Sequence, residues 1–206
     1  VTLAPNTLSN VWVVQNSAGD TVTLTQGTGS NVVIPNGSIK MIATDGGVSG
    51  ANVTDVLDLT GGTNNVGLGS GTLASITSGD DNVVIGENAG DALTSGNDNT
   101  LVGDNAGTEV TTGFNNTFIG SRSGDAISTA DNNVAVGFNS LGLDTKGDRS
   151  VALGSAALAT QNFTTTTDVY NVAVGYTAGF SITTGVQNTL IGGLAGLSLT
   201  TPNQNV

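Results

Sequence analysis

Cysteine and histidine are both absent from the 206 residues. Their absence removes disulfide frameworks, thiol nucleophiles, Ser-His-Asp triads and zinc sites built on imidazole or thiolate. Basic residues are almost as scarce: Lys40, Arg122, Lys146 and Arg149 stand against 16 acidic residues, for a formal charge of -12. Such a surface repels phosphate backbones and anionic lipid, so nucleic acid is a poor partner. No stretch approaches the roughly 20 apolar residues of a membrane span, and no membrane insertion is expected. Aromatic residues make up only 4% of the chain, too few for a conventional globular core. The opening Val1-Thr2-Leu3 is neither a signal peptide nor a translation start, and reads as the edge of a fragment or processed segment.

Glycine, by contrast, is plentiful, with 31 residues, and much of it is ordered. A phrase of the form Asn-(Val/Thr)-apolar-(Leu/Ile/Val)-Gly closes at Gly69, Gly86, Gly103, Gly120, Gly137, Gly154, Gly175 and Gly192, with a spacing of 17 residues broken once by 21. A further copy opens at Asn205. Repeats of this length stack on their neighbours, because one unit cannot bury its own apolar face. Seventeen residues suffice for two short strands and two turns, so a flattened coil is predicted, with about eight coils stacked in parallel. Three residues past each closing glycine stands a small residue, from Thr72 and Ala89 to Ala195. Four further on an aliphatic one is usual: Ile76, Leu93, Val110, Ile127, Ile182 and Leu199. The leading asparagines, Asn65, Asn82, Asn99, Asn116, Asn133, Asn171 and Asn188, with Ser150 as the exception, form a ladder. Asparagine tolerates left-handed backbone and can bond up and down a stack, so the ladder reads as structural.

Residues 1–60 follow different rules. Val11–Asn16, Thr21–Thr25, Asn31–Pro35 and Ser38–Gly46 read as four strands between turn-forming residues, which predicts a small β-sandwich-like or open β-domain with Trp12 in its core. The fold class is therefore all-β, a small N-terminal domain (1–60) followed by a parallel β-roll or β-solenoid (61–206). Within each repeated strand the third residue is always branched and apolar, and the middle one alternates to the other face. That middle position reads Gly67, Val84, Leu101, Phe118, Ala135, Ala152, Ala173 and Leu190. With both faces apolar and room for only one interior, Val84, Leu101, Phe118 and Leu190 are expected to meet other copies of the chain, most simply in a homotrimer.

The phrases Asn133-Val134-Ala135-Val136-Gly137, Ser150-Val151-Ala152-Leu153-Gly154 and Asn171-Val172-Ala173-Val174-Gly175 resemble the head repeats of trimeric autotransporter adhesins and, more closely, related repeats of bacteriophage tail fibres. The resemblance covers about residues 64–206. It implies a left-handed parallel β-roll with three chains wound side by side, located on a virion or at a cell surface. Partners would be a host cell-surface glycan or protein and other virion proteins.

Candidate contacts follow from the exceptions to the pattern. The four extra residues between Gly154 and Gly175 are expected to leave the stack within Gln161–Asp168, where Thr165 lies. The rings outside the strand slots are Phe114, Phe138, Phe163, Tyr170, Tyr176 and Phe180; of these, Phe114, Phe163, Tyr176 and Phe180 are the candidates for stacking on sugars, and packing between chains is the plainer reading of each. Asp81 and Asp98 share a slot in adjacent coils and would attract calcium, but the calcium-roll nonapeptide is missing and a solvated acidic surface is the simpler account. No catalytic motif is present, so no enzymatic activity, cofactor or metal is expected. The function expected is that of a structural fibre protein. A bacterial surface adhesin or extracellular fibril is the main alternative, and an ice-binding solenoid displaying its Thr/Ser pairs a remote one.

Overall fold

The computed structural model describes residues 9–17, 19–24, 32–34, 39–45, 53–58 and 64–205. The chain divides into two compact units: Val1–Gly61 with Val66–Leu68, and Gly62–Asn65 with Gly69–Val206. In the first, β1 (Ser9–Gln15), β4 (Ile39–Asp45) and β5 (Val53–Asp58) pair antiparallel, and β6 (Val66–Leu68) joins β5 antiparallel at Asp58 and Gly67. A hairpin of β2 (Val22–Leu24) and β3 (Val32–Ile34) supplies Leu24, Val32 and Ile34 to a small core with Ile42 of β4. Strand β5 was not anticipated from the sequence, where Val53–Asp58 carries two aspartates among its apolar residues. The Trp12 side chain lies outside the described residues.

The second unit is a parallel β-solenoid. Its strands are β7 (Val83–Ile85), β8 (Thr100–Val102), β9 (Thr117–Ile119), β10 (Val134–Val136), β12 (Val151–Leu153), β14 (Val172–Val174) and β15 (Thr189–Ile191), paired in register in that order. Each coil holds one three-residue strand and otherwise turns, rather than two strands. Only the two coils around the 21-residue interval add a second, two-residue strand, β11 (Gly147–Asp148) with β13 (Thr167–Asp168). The closing glycines explain the tight stacking: a Cβ on Gly103 would lie 2.5 Å from the Gly120 carbonyl oxygen. No L side chain fits there, and at φ near +137° none would adopt the backbone.

The strand turns its faces the opposite way from expectation. Val84, Leu101 and Phe118 are fully buried inside their own coils, and Leu190 nearly so, together with Ala135, Ala152 and Ala173. They therefore cannot form an interface between chains. The branched residues on either side, such as Val83 with Ile85 and Thr117 with Ile119, are the ones left half-exposed or exposed. The physical reason is parity. The ladder asparagine lies two residues before the strand centre, and the two share a face. The amide requires the interior, where its hydrogen-bond partners are, so the centre goes inward with it.

Those partners are exact repeats of one another. Asn99 donates from both its backbone N–H and Nδ2 to Asn82 Oδ1, at 3.0 Å each, and Nδ2 also donates across the coil to the Gly113 carbonyl at 2.9 Å. Asn82, Asn116 and Asn188 repeat the arrangement. The left-handed residue is not the ladder asparagine but the one before it, as at Asp81, Asn115 and Gln187. Where Ser150 interrupts the ladder, Gln161 replaces the missing amide, donating to Ser150 Oγ at 3.0 Å and accepting from Asn171 Nδ2 at 2.8 Å. Gln161 and Asp144 occupy the two polar rungs of the otherwise aliphatic column between Ile127 and Ile182, and Gln161 also donates to the Asp144 carboxylate. The buried Asp144 accepts further bonds from the backbone N–H groups of Gly147 and Phe163, so its charge is met on three sides.

Core volume is exchanged between the strand and the opposite turn. Opposite the large centres Val84, Leu101, Phe118 and Leu190, the position four past the closing glycine is Gly90, Gly107, Gly124 and Gly196. A Cβ on Gly124 would come within 2.6 Å of the Phe118 ring. In the coils with Ala135 and Ala152 the same position is Leu141 and Leu158, both fully buried, at φ 53° and 51°. Left-handed backbone costs a leucine roughly 1–2 kcal/mol. Burying its side chain contributes about 1.5–3 kcal/mol, which offsets the strain.

This exchange is testable in one double-mutant cycle. Phe118→Ala alone should lower the unfolding free energy by about 3–5 kcal/mol, and Gly124→Leu alone should destabilise by collision with the ring. Combining them should recover a large part of either loss in denaturant titrations. Additive losses would refute the shared volume.

Candidate functional site

With backbone and ladder amides bonded internally, only outward side chains remain for recognition. The first such group is the turn before each strand. There an Asx ladder runs outside the core: Asp80 N–H donates to Asn97 Oδ1 at 2.8 Å, Phe114 N–H to Asp131 Oδ1 at 3.0 Å, and Asp131 N–H to Asp148 Oδ1 at 2.8 Å. The Phe114 ring is exposed beside this ladder.

The insertion joins the same turn. The spacing between paired residues grows from 17 at Thr145 and Asn162 to 20 at Gly147 and Thr167, and reaches 21 at Val151 and Val172. The extra chain thus leaves mainly between Asn162 and Thr167, as the sequence pattern indicates. Thr164, Thr165 and Thr166 are exposed. Phe163 is not a surface contact: it is only 8% exposed, its N–H bonded to Asp144 and its carbonyl accepting from Thr145 Oγ1 at 2.7 Å. It is a plug that fixes the loop's base. The far end is held by an Arg149–Asp168 ion pair, with the Arg149 guanidinium 5.9 Å over the Tyr170 ring and Tyr170 OH donating to Asp168 Oδ2 at 3.3 Å. Arg149 and Tyr170 are not among the contacts expected from the sequence; both occupy a slot held elsewhere by Asp81, Asp98, Asn115 and Asn132.

The second outward group is the turn after each strand. Tyr176 and Phe180 belong to one such turn, with Phe180 N–H donating to the Thr177 carbonyl at 3.1 Å, and both rings are exposed. The structure therefore places Tyr176 and Phe180 together and leaves Phe114 on the turn before the strand and Thr165 on the insertion. Phe138 was missed as a candidate. It is 57% exposed and holds the same slot as Tyr176, one residue past the closing glycine. Thr177 adds strain at this turn: a β-branched residue at φ 52°, whose buried Oγ1 makes no hydrogen bond. Asn88, Asn105 and Asn139 fill the equivalent slot elsewhere.

An open recess of about 260 Å³ is lined by Asn105, Thr108, Glu109, Arg122, Asp125 and Ala126. Burial raises the Asp125 carboxyl above its ordinary value of 3.8, against the pull of Arg122, with Glu109 adding to the rise. Burial also raises Asp131, against the Phe114 N–H and Arg149, and Asp148, against the Asp131 N–H. The recess offers carboxylates and a guanidinium but no activated nucleophile. Among the described residues no group of three or more potential metal ligands is close enough to hold an ion. The first residue of most Thr/Ser pairs donates its hydroxyl to a carbonyl of the next coil: Thr77, Thr94, Thr111, Ser128 and Thr183 all do so, Thr94 to the Thr111 carbonyl at 3.0 Å. No family model, curated protein or solved structure matches the chain.

Two outcomes follow from these turns. The raised carboxyls of Asp125, Asp131 and Asp148 bind protons more tightly in the folded state, so their charged forms oppose folding. That opposition is full above the native values and vanishes as pH falls toward the ordinary value of 3.8. The melting temperature should rise as pH is lowered from 7 toward that range, and an Asp131→Asn/Asp148→Asn variant should show a flatter profile; an equal slope in the variant counts against the assignment. At the strained turn, Thr177→Asn should stabilise by about 1 kcal/mol in chemical denaturation, by relieving left-handed strain and an unpaired hydroxyl.

Proposed function

We propose that the chain is a structural fibre segment of a virion, a phage tail fibre by its resemblance, which assembles as a homotrimer and attaches to a host surface without catalysis. The observation that carries this reading is the outward face of the parallel sheet. Val83 and Ile85, Val102, Ile119, Val134 and Val136, Val151 and Leu153, Val172 and Val174 and Ile191 point away from the core, and Ile119 and Ile191 are among the exposed large apolar residues. Seven strands at about 4.8 Å each extend this apolar strip for roughly 30 Å. Contiguous apolar patches of that size mark interaction sites on otherwise polar proteins. An in-register array repeats the same chemistry at every coil, so the surface best matched to it is an identical array on another copy of the chain.

The resemblance supplies the number three and the side-by-side arrangement. Multivalent contact then converts weak binding at each copy into firm adsorption, because the second and third contacts form at high effective concentration. Other virion proteins would hold the fibre, and a glycan or protein of the host surface would be its target. A bacterial surface fibril built on the same array is the rival reading.

Sedimentation velocity at micromolar concentration should give a trimer. A Val102→Asp/Val136→Asp variant, altered only on the outward face, should sediment as a monomer with an unchanged far-ultraviolet spectrum, whereas Phe118→Asp should unfold the coils. A wild-type monomer would overturn the assembly.

A further inference from the structure

The turn after the strand carries one residue per coil in a single outward column, one past the closing glycine. Phe138, Ser155 and Tyr176 are consecutive in it. Their stacking is fixed by the backbone: Ala156 N–H donates to the Phe138 carbonyl at 2.8 Å, Thr177 N–H to the Ser155 carbonyl at 2.9 Å, and Leu194 N–H to the Tyr176 carbonyl at 2.9 Å. The two rings are therefore two coils apart, roughly 10 Å along the stack. They are also the most exposed rings described, at 57% and 64%, in a chain with few aromatics to spare.

From this juxtaposition we infer that Phe138 and Tyr176 form a two-ring platform for a neutral, linear, β-1,4-linked hexose chain lying along the coil axis. An extended, equatorially linked glycan presents a flat apolar sugar face at every second residue, and the length of two such residues matches the separation of the rings. Ser155, between the rings, offers a hydroxyl to the bridging sugar. An axially linked glucan curves away and presents its faces off this line. An anionic polysaccharide meets a chain of charge -12, with Glu87 and Asp104 in the same column on the coils before. The strained Thr177 adjoins Tyr176, and backbone strain concentrates at sites of recognition. Only a rigid array keeps two rings at fixed separation without ordering a loop on binding, which lowers the entropy lost when the ligand docks.

The inference deepens the attachment reading by naming the ligand class, and rests on it for the premise that the array meets a cell surface, but not for the trimer. Its test is calorimetric titration of the full chain with cellohexaose and fully N-acetylated chitohexaose, both neutral, with maltohexaose and an oligogalacturonate as controls. At least one β-1,4-linked probe should bind saturably and the controls should not. Phe138→Ala and Tyr176→Ala should each weaken binding about tenfold, and Phe114→Ala should leave it unchanged. Because both rings are exposed, the variants should keep the melting temperature and sedimentation coefficient of the wild type. Absence of saturable binding to either β-1,4 probe overturns the inference, as does binding that survives both substitutions. Loss of the oligomer in either variant also overturns it, since the rings would then belong to a subunit contact. A monomeric wild type that binds through both rings would remove the trimer and leave the platform standing.

Discussion

The buried asparagine ladder is the constraint from which the rest of the second unit follows. Each rung donates two kinds of bond: back to the asparagine of the preceding coil, and across its own coil to a carbonyl 14 residues later. The first sets the stacking register, and the second closes the coil. An amide with that many buried partners cannot be removed cheaply, because each orphaned donor or acceptor costs about 1–3 kcal/mol. It also fixes which face of the strand is interior. Everything else in the coil, from the small residue past the glycine to the aliphatic column, adapts to the narrow space that this closure leaves.

Saturation of the interior explains the core's composition. A coil of 17 residues has room for one large side chain between strand and opposite turn, and the structure places it on either side but not on both. Phe118 faces Gly124, while Ala135 and Ala152 face Leu141 and Leu158. At Ala173 and Gly179 both sides are small, and the neighbours close the gap: the position of a Gly179 Cβ is 2.8 Å from Leu158 Cδ2 and 3.2 Å from Leu190 Cδ1. Packing is thus negotiated between adjacent coils, as expected of a stack in which each repeat contacts only its neighbours.

Much of this was legible in the sequence, and the part that was not has a definite cause. The period, the parallel stacking, the small and aliphatic columns, the structural ladder and the place of the insertion could all be read from spacing. The sign of the strand's faces could not be read from hydrophobicity, since Val84 and Ile85 are equally apolar. It could have been read from Asn82, because a ladder buried for its hydrogen bonds carries every second residue inward with it. The second strand per coil was inferred from chain length alone, and turns with left-handed residues at Asn88, Asp98 and their equivalents took its place. At the candidate site, ring type selected Tyr176 and Phe180 and also the buried Phe163. Slot in the repeat, rather than residue type, was the signal that would have added Phe138 and removed Phe163.

Most departures from the repeat are gathered in one stretch, although Leu73 also takes left-handed backbone in the slot of Leu141 and Leu158, and the exposed Phe114 and Phe180 lie to either side. Asp144 and Gln161 in the core, Ser150 in the ladder, Leu141 and Leu158 in left-handed backbone, the insertion with its Arg149–Asp168 clasp, and the exposed Phe138 and Tyr176 all fall between residues 138 and 176. Each core change is locally compensated: the glutamine substitutes for the missing amide, the leucines for the missing strand volume, and Phe163 plugs the base of the loop. Compensation of that kind keeps the stack continuous while the outward residues change. The coils on either side repeat nearly the same chemistry from one to the next. An element that distinguishes one ligand from another needs positions that differ from their neighbours, and in the solenoid those positions are concentrated in this one stretch.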